Sequence, residues 1–151
     1  ILDRKLRIVS ENTTTSEDWL KWAQEAFKSC YAYEWQGDSL LIARENMLYT
    51  FIDYYHAKFG IMPQTRSLLY IAYIVSWNLW QMDGLKGVVP GSCGFKPDPN
   101  NIFGEICPCK GCATGDNSIH NGDYCRIKDW HATDKATGKR GKTIKFIDLT
   151  K

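Results

Sequence analysis

NLWQMDGLKG, residues 78–87, is the stretch on which the fold turns. A short apolar run ends in Asp83, and Gly84 follows at once. Asp-Gly between extended segments is a hairpin turn signal and would close an antiparallel pair. A carboxylate at the carboxyl end of a strand is equally where an open α/β sheet holds its ligand. The residues that follow tilt the choice. LKGVVPGSCG, 85–94, is broken by glycine and proline within a few positions and makes a poor return strand.

Working outward from there, residues 77–82 read as a strand. Before them, TRSLLYIAYIVS (65–76) is apolar on nearly every face, which predicts a mostly buried helix. Asp38 can cap a long helix over 38–58, with Leu40, Leu41, Arg44, Met47, Leu48, Phe51, Ile52 and Tyr55 on its stripe. YAYEWQ (31–36) holds the β-formers Tyr31, Tyr33 and Trp35 and reads as a short strand. Thr15 and Asp18 fit a capping box for a helix carrying Trp19, Trp22, Ala23, Ala26 and Phe27. Residues 1–9 read as a short helix. The order helix–strand–helix–helix–strand predicts an α/β layered domain with parallel strands. The texture changes at Val89. Residues 90–124 hold four of the five prolines and four of the six cysteines, with little periodicity. CRIKDW (125–130) and KTIKFIDL (142–149) then alternate like strands.

The chain has 151 residues, 44% hydrophobic and 13% aromatic, which is enough for a core and excludes a disordered tail. Net charge is +2, but it is unevenly spread. Residues 126–151 carry eight Lys/Arg against three Asp/Glu, leaving eleven against fourteen for the rest. No segment reaches the ~18–20 uninterrupted apolar residues of a membrane span. The opening ILDRKLRIVS has no signal-peptide pattern, so a cytoplasmic location and free or metal-bound thiols are expected. With no initiator Met and an opening in mid-pattern, the chain is expected to be a fragment.

Two acids stand at expected strand tips. Glu34, closing YAYE, can accept hydrogen bonds from both hydroxyls of a ribose, and Trp35 can lie on an adenine face. Asp83 can accept from an adenine amino group, with Leu85 packed on the ring. The competing reading is an exposed edge acid and a hairpin turn.

ILDRKL, then YAYEWQGDSLLIAREN, then SWNLWQMDGLKG, then YCRIKDW before KFIDL resemble the adenine-N6 DNA methyltransferases of restriction–modification systems. The resemblance covers roughly residues 1–89 and 124–149. It implies S-adenosylmethionine as cofactor, with Glu34 on the ribose, Trp35 and Leu85 on the adenine face and Asp83 on the adenine amino group. It also implies DNA as the partner of the full-length enzyme. Asp38, Ala43 and Arg44 match the family's D-x-x-x-x-A-R helix. The family's glycine-rich cofactor loop is expected ahead of Ile1, and its NPPY tetrapeptide, absent here, beyond Lys151. That tetrapeptide orients an extruded adenine. No catalytic residue is therefore assigned, and the isolated chain is not expected to methylate DNA. Glu34 and Asp83 lie 49 positions apart, more than in the simplest members.

The expected fold is thus α/β, a partial Rossmann-like methyltransferase fold over 1–89. A Cys/Gly/Pro-rich insertion spans 90–124, and a C-terminal β-hairpin 125–151 returns to the core. Within the insertion, Cys107, Cys109 and Cys112, with Cys125 after it, are candidate ligands for structural zinc, and Cys93 or His120 can substitute. Disulfides and unligated thiols remain alternatives. The basic loop Lys135, Lys139, Arg140 and Lys142 reads either as a DNA-phosphate contact or as a solvated hairpin tip. His56 and His131 are expected at the surface. Two rivals stand against the methyltransferase reading. One is a zinc-stapled nucleic-acid-binding module; the other is a non-enzymatic interaction domain.

Overall fold

The computed structural model describes residues 1–94, 96–97 and 106–149, with backbone alone at 96–97 and 106–107. The described residues are 51% helical and 17% strand, in keeping with an α/β class. It divides into two compact units, Ile1–Ala32 with Gly37–Trp80, and Tyr33–Gln36 with Gln81–Lys151. The first unit ends at Trp80, ahead of the change of texture at Val89.

The first unit is helical. It contains α1 (Leu2–Asn12), α2 (Ser16–Lys28), α3 (Gly37–Phe59) and α4 (Thr65–Asn78). The Thr15 hydroxyl oxygen accepts from the Asp18 N–H at 3.2 Å and donates to the Asp18 carboxylate at 3.1 Å, so the Thr15 half of the expected capping box starts α2. Asp38 lies within the first turn of α3, not ahead of it. The core is aromatic. Trp19 is fully buried, with ring centroids 5.6 Å from Phe51 and 5.4 Å from Tyr55, and its indole N–H donates to Ser10 at 2.9 Å. Phe27 meets Phe51 edge-on at 6.0 Å. α4 buries one stripe, Ile71, Ile74, Val75 and Asn78, while Leu69 and Tyr73 face solvent. The all-round burial expected of α4 is therefore corrected. Its single packed face is spaced i, i+3, i+4, i+7, and the other apolar residues are surplus to it.

The strands are shorter than expected. β1 is Ala32–Glu34 and β2 is Leu79–Gln81, and the two pair. Residues 77 and 78 belong to α4 instead, because buried Asn78 has a job at the helix end. Its Nδ2 donates to the carbonyls of Phe27, Lys28 and Cys30 at 3.0–3.2 Å, meeting groups that α2 leaves unpaired at its C-terminus. Arg44 Nη2 donates to the Leu79 carbonyl at 2.6 Å.

The second unit is mostly strand and loop. β3 (Lys96–Pro97) pairs antiparallel with β4 (Ile106–Cys107), and α5 (Lys110–Thr114) follows. The expected C-terminal hairpin forms from β5 (Arg126–Thr133) and β6 (Arg140–Lys145), in register Arg126↔Lys145 with a bulge between Asp129 and Thr133. Residues 146–149, expected to continue the strand, form a 3-10 turn. Val88 is the hub. It bridges Asp83 on one side and Tyr124 on the other. Every sheet among the described residues has two strands, so the coarser α/β class stands without a Rossmann-like sheet.

Candidate metal centre

Four side chains from three loop segments and one short helix converge in the second unit: Cys93, Cys109, Cys112 and His120. Cys109 is the residue before α5, and Cys112 lies inside it. One turn of helix puts a C-x-x-C pair on one side, the spacing common in zinc sites. The useful pair within CPCKGC is therefore Cys109 with Cys112. Cys93 arrives after a tight turn at Pro90-Gly91, where Gly91 takes φ +72 and Ser92 N–H returns to the Val89 carbonyl at 3.0 Å. His120 arrives from the loop after α5.

All four ligand atoms lie within 4.8 Å of one another. His120 Nδ1 is 3.4 Å from Cys109 Sγ, 3.5 Å from Cys93 Sγ and 3.7 Å from Cys112 Sγ. A tetrahedron with Zn–S near ~2.3 Å and Zn–N near ~2.0–2.1 Å has S···N edges of about 3.6 Å. Three sulfurs around one ring nitrogen also exceed what that nitrogen can hydrogen-bond, since it has one lone pair or one proton. A cation at the centre accounts for all three distances at once.

The surroundings are built to fit. Asn117 fixes the histidine tautomer. Its Nδ2 is committed to the Leu85 carbonyl at 2.6 Å, which leaves Oδ1 facing His120 Nε2 at 3.2 Å. The proton then sits on Nε2, and Nδ1 offers its lone pair to the sulfurs, the outer-shell arrangement typical of metal-bound histidine. The Tyr124 hydroxyl accepts from the His120 backbone N–H at 2.7 Å. Two glycines leave room. A Cβ on Gly111 would lie 2.7 Å from His120 Nδ1, and one on Gly122 would lie 2.7 Å from Cys93 Sγ. Burial opposes ionisation of Cys109, but hydrogen bonds led by the backbone N–H groups of Asn121 and Cys112 outweigh it and bring the thiol down to about 6. Asn121 N–H reaches that sulfur at 3.3 Å. Cys93 goes the other way, to about 11, first from burial and then from its cysteine neighbours. In the cluster without metal, Cys109 is thus the readiest thiolate. The Cys112 charge is the main cause raising Lys86 above its ordinary value.

Of the ligands expected from sequence, the structure joins Cys109 and Cys112 and adds Cys93 and His120, the two expected substitutes. Cys125 is separate. It is fully buried at the start of β5, donates to the Gln81 carbonyl at 3.3 Å and is pushed up to about 11 by burial. Its candidacy as a ligand is corrected on that ground: spacing alone could not separate it from the cluster. The side chain of Cys107 lies outside the described residues. The cysteines among the described residues are free thiols.

The strand-tip acids are neighbours. Met82 N–H donates to the Glu34 carbonyl at 2.9 Å, so Glu34 and Asp83 end adjacent chain segments. Glu34 Oε1 accepts from the Gln36 N–H at 3.1 Å. Trp35 is half exposed and Leu85 almost wholly so. Asp83 is 5% exposed, and its Oδ1 accepts from the Leu85 and Lys86 N–H groups at 3.0 and 3.3 Å. Oδ2 faces Lys86 Nζ at 3.7 Å. The Asp-Gly turn does form: Asp83 N–H donates to the Val88 carbonyl at 2.8 Å, and Gly87 N–H returns to the Asp83 carbonyl at 2.8 Å. Its left-handed glycine is Gly87, φ +69, not Gly84. Lys135, Lys139, Arg140 and Lys142 lie at or beside the exposed tip of the β5–β6 hairpin, and His56 and His131 are exposed.

Compared with protein-family models, curated proteins and solved structures, the chain matches none. Among the described residues no helix is long and apolar enough to cross a membrane.

Proposed function

We propose that Cys93, Cys109, Cys112 and His120 hold a structural zinc ion, and that the segment it staples belongs to an S-adenosylmethionine-dependent DNA adenine-N6 methyltransferase. The observation that carries the zinc is the set of 3.4–3.7 Å separations between His120 Nδ1 and three sulfurs. Three protein thiolates and one imidazole leave no position for a water, so the site is closed and structural. Zinc supplies folding energy to a segment whose own apolar content is small.

The methyltransferase part rests on the order of the sequence motifs. It is supported by Glu34 and Asp83 ending neighbouring segments, with exposed Trp35 and Leu85 beside them. In this reading the cofactor supplies the methyl group. Glu34 binds the ribose, Trp35 and Leu85 sandwich the adenine, and Asp83 offers Oδ2 to the adenine amino group while Oδ1 holds the turn. The partial Rossmann-like fold, the DNA partner and the cytoplasmic setting belong to this proposal too.

Two measurements test it. Elemental analysis of chain purified without chelator should find one zinc per chain, and none after Cys109→Ser with Cys112→Ser. In the full-length protein, Glu34→Ala and Asp83→Ala should each weaken S-adenosylmethionine binding by about tenfold or more, the loss of one buried charged hydrogen bond. Unchanged affinity in both variants would remove the methyltransferase assignment and leave the zinc untouched.

A further inference from the structure

The metal centre and the Asp83 turn are joined by two side chains, Asn117 and Lys86. Asn117 stands between His120 Nε2, at 3.2 Å, and the Leu85 carbonyl, at 2.6 Å. Lys86 reaches Asp83 Oδ2 at 3.7 Å, and the Cys112 charge acts on it. The turn itself is short. Leu85 is exposed, and the loop from Gly84 to Gly87 is held mainly by Asp83 through its own carbonyl and carboxylate.

We infer that metal loading orders the 83–88 turn, with Asn117 and Lys86 as the positioning residues that transmit it. The inference rests on the zinc reading and assigns these two residues a role that reading does not require. A divalent cation at the centre fixes the imidazole plane, because Nδ1 must aim along a ligand bond. With the ring fixed, the Nε2–H bond fixes the Asn117 amide, and the other end of the amide fixes the Leu85 carbonyl. The second link is electrostatic. Three thiolates around a dication leave one net negative charge, and Lys86 is the cation placed against it. That charge draws Lys86, and through it Asp83, toward the centre. Without metal the imidazole can rotate and the dication's charge is gone, so both links slacken together. Leu85 and Asp83 are the two members of the proposed adenine contact on this turn, so an empty metal site would leave that contact unformed.

Amide hydrogen exchange on the full chain, with and without one equivalent of zinc, tests this. Zinc should slow exchange at the amides of Leu85, Lys86 and Gly87 by about tenfold or more, the behaviour of a locally opening segment that gains a tether. Asn117→Asp keeps an acceptor for Nε2–H but loses the donor to Leu85. It should still take up one equivalent of zinc while losing most of the slowing at Leu85. Lys86→Met should take up zinc more weakly and lose part of the slowing at Lys86 and Gly87. If zinc binds and the turn amides exchange at the same rate with and without it, the coupling is wrong and the zinc site stands. Equal slowing in the parent and Asn117→Asp would also overturn the role given to Asn117. If no zinc binds, both fall.

Discussion

Gly111→Ala is the sharpest probe of the metal centre, because it removes no ligand and, judged locally, should help. Alanine is worth about 0.5–1 kcal/mol more than glycine in a helix interior, and Gly111 lies inside α5. The added methyl carbon, however, would sit 2.7 Å from His120 Nδ1, 2.9 Å from its Cγ and 2.7 Å from the Asp116 carbonyl oxygen. Ordinary contact begins near ~3.5 Å, so the ring has to retreat by roughly 0.8 Å. It has no obvious direction to go, with Asn117 behind Nε2 and three sulfurs around Nδ1. A zinc–nitrogen bond tolerates about ±0.2 Å. The displacement is several times that, so either the imidazole leaves the metal or α5 shifts and takes Cys112 with it. Zinc affinity should fall by at least the 10–100-fold typical of outer-shell damage, about 1.4–2.8 kcal/mol. Competition against a chromophoric chelator measures it, and the visible bands of the cobalt-substituted protein report whether the nitrogen ligand is lost. Gly84→Ala is the control, since a methyl there meets nothing within 4 Å. If Gly111→Ala binds zinc as tightly as the parent, His120 Nδ1 is not a ligand and the tetrahedral reading of its sulfur distances is wrong.

Three further outcomes are expected. Chelation should open tryptic cleavage after Lys110 while the far-ultraviolet helix signal of the first unit persists; loss of that signal in step with cleavage would mean the metal supports the whole chain. Cys125, raised from 9.0 to about 11 by burial, is more easily ionised unfolded than folded. Its contribution is complete below about pH 9 and lost as pH rises toward 11, so urea midpoints should fall across that window. They should fall less in Cys125→Ala, and an identical fall would assign the effect elsewhere. Asn78→Ala strips the end of α2 of the donor that serves Phe27, Lys28 and Cys30, and should cost about 1–3 kcal/mol in urea unfolding. A change under a few tenths would show water replacing the amide without penalty.

What the sequence disclosed, and what it hid, follows from the reach of each interaction. α2 was legible because both its signals are local: Thr15 and Asp18 are three residues apart, and the buried Trp19, Ala23, Ala26 and Phe27 repeat at helical spacing. α4 was legible as a helix but not as to its face. Leu69 and Tyr73 are as apolar as Ile71 and Ile74, and only packing partners far away in the chain decide which pair is covered. The same distance hid the end of α4, since the carbonyls that recruit Asn78 lie about fifty residues upstream. At Asp83 the local turn signal was correct, and the objection to it misjudged how much return strand a turn needs. One residue suffices when Val88 has a second partner, Tyr124, waiting on its far side. The cysteines show the limit most clearly. Cys112 and Cys125 were equally good ligands by spacing. What separates them is that Cys125 is buried just ahead of β5 and donates to the Gln81 carbonyl, whereas Gly111 and Gly122 make space for His120 and Cys93, and Asn117 and Asn121 hydrogen-bond His120 and Cys109. Glycines that leave room for a ligand, as Gly111 and Gly122 do, and an amide that orients the histidine, as Asn117 does, therefore mark a metal site better than cysteine spacing alone, because they record the room and the orientation that a bound ion demands.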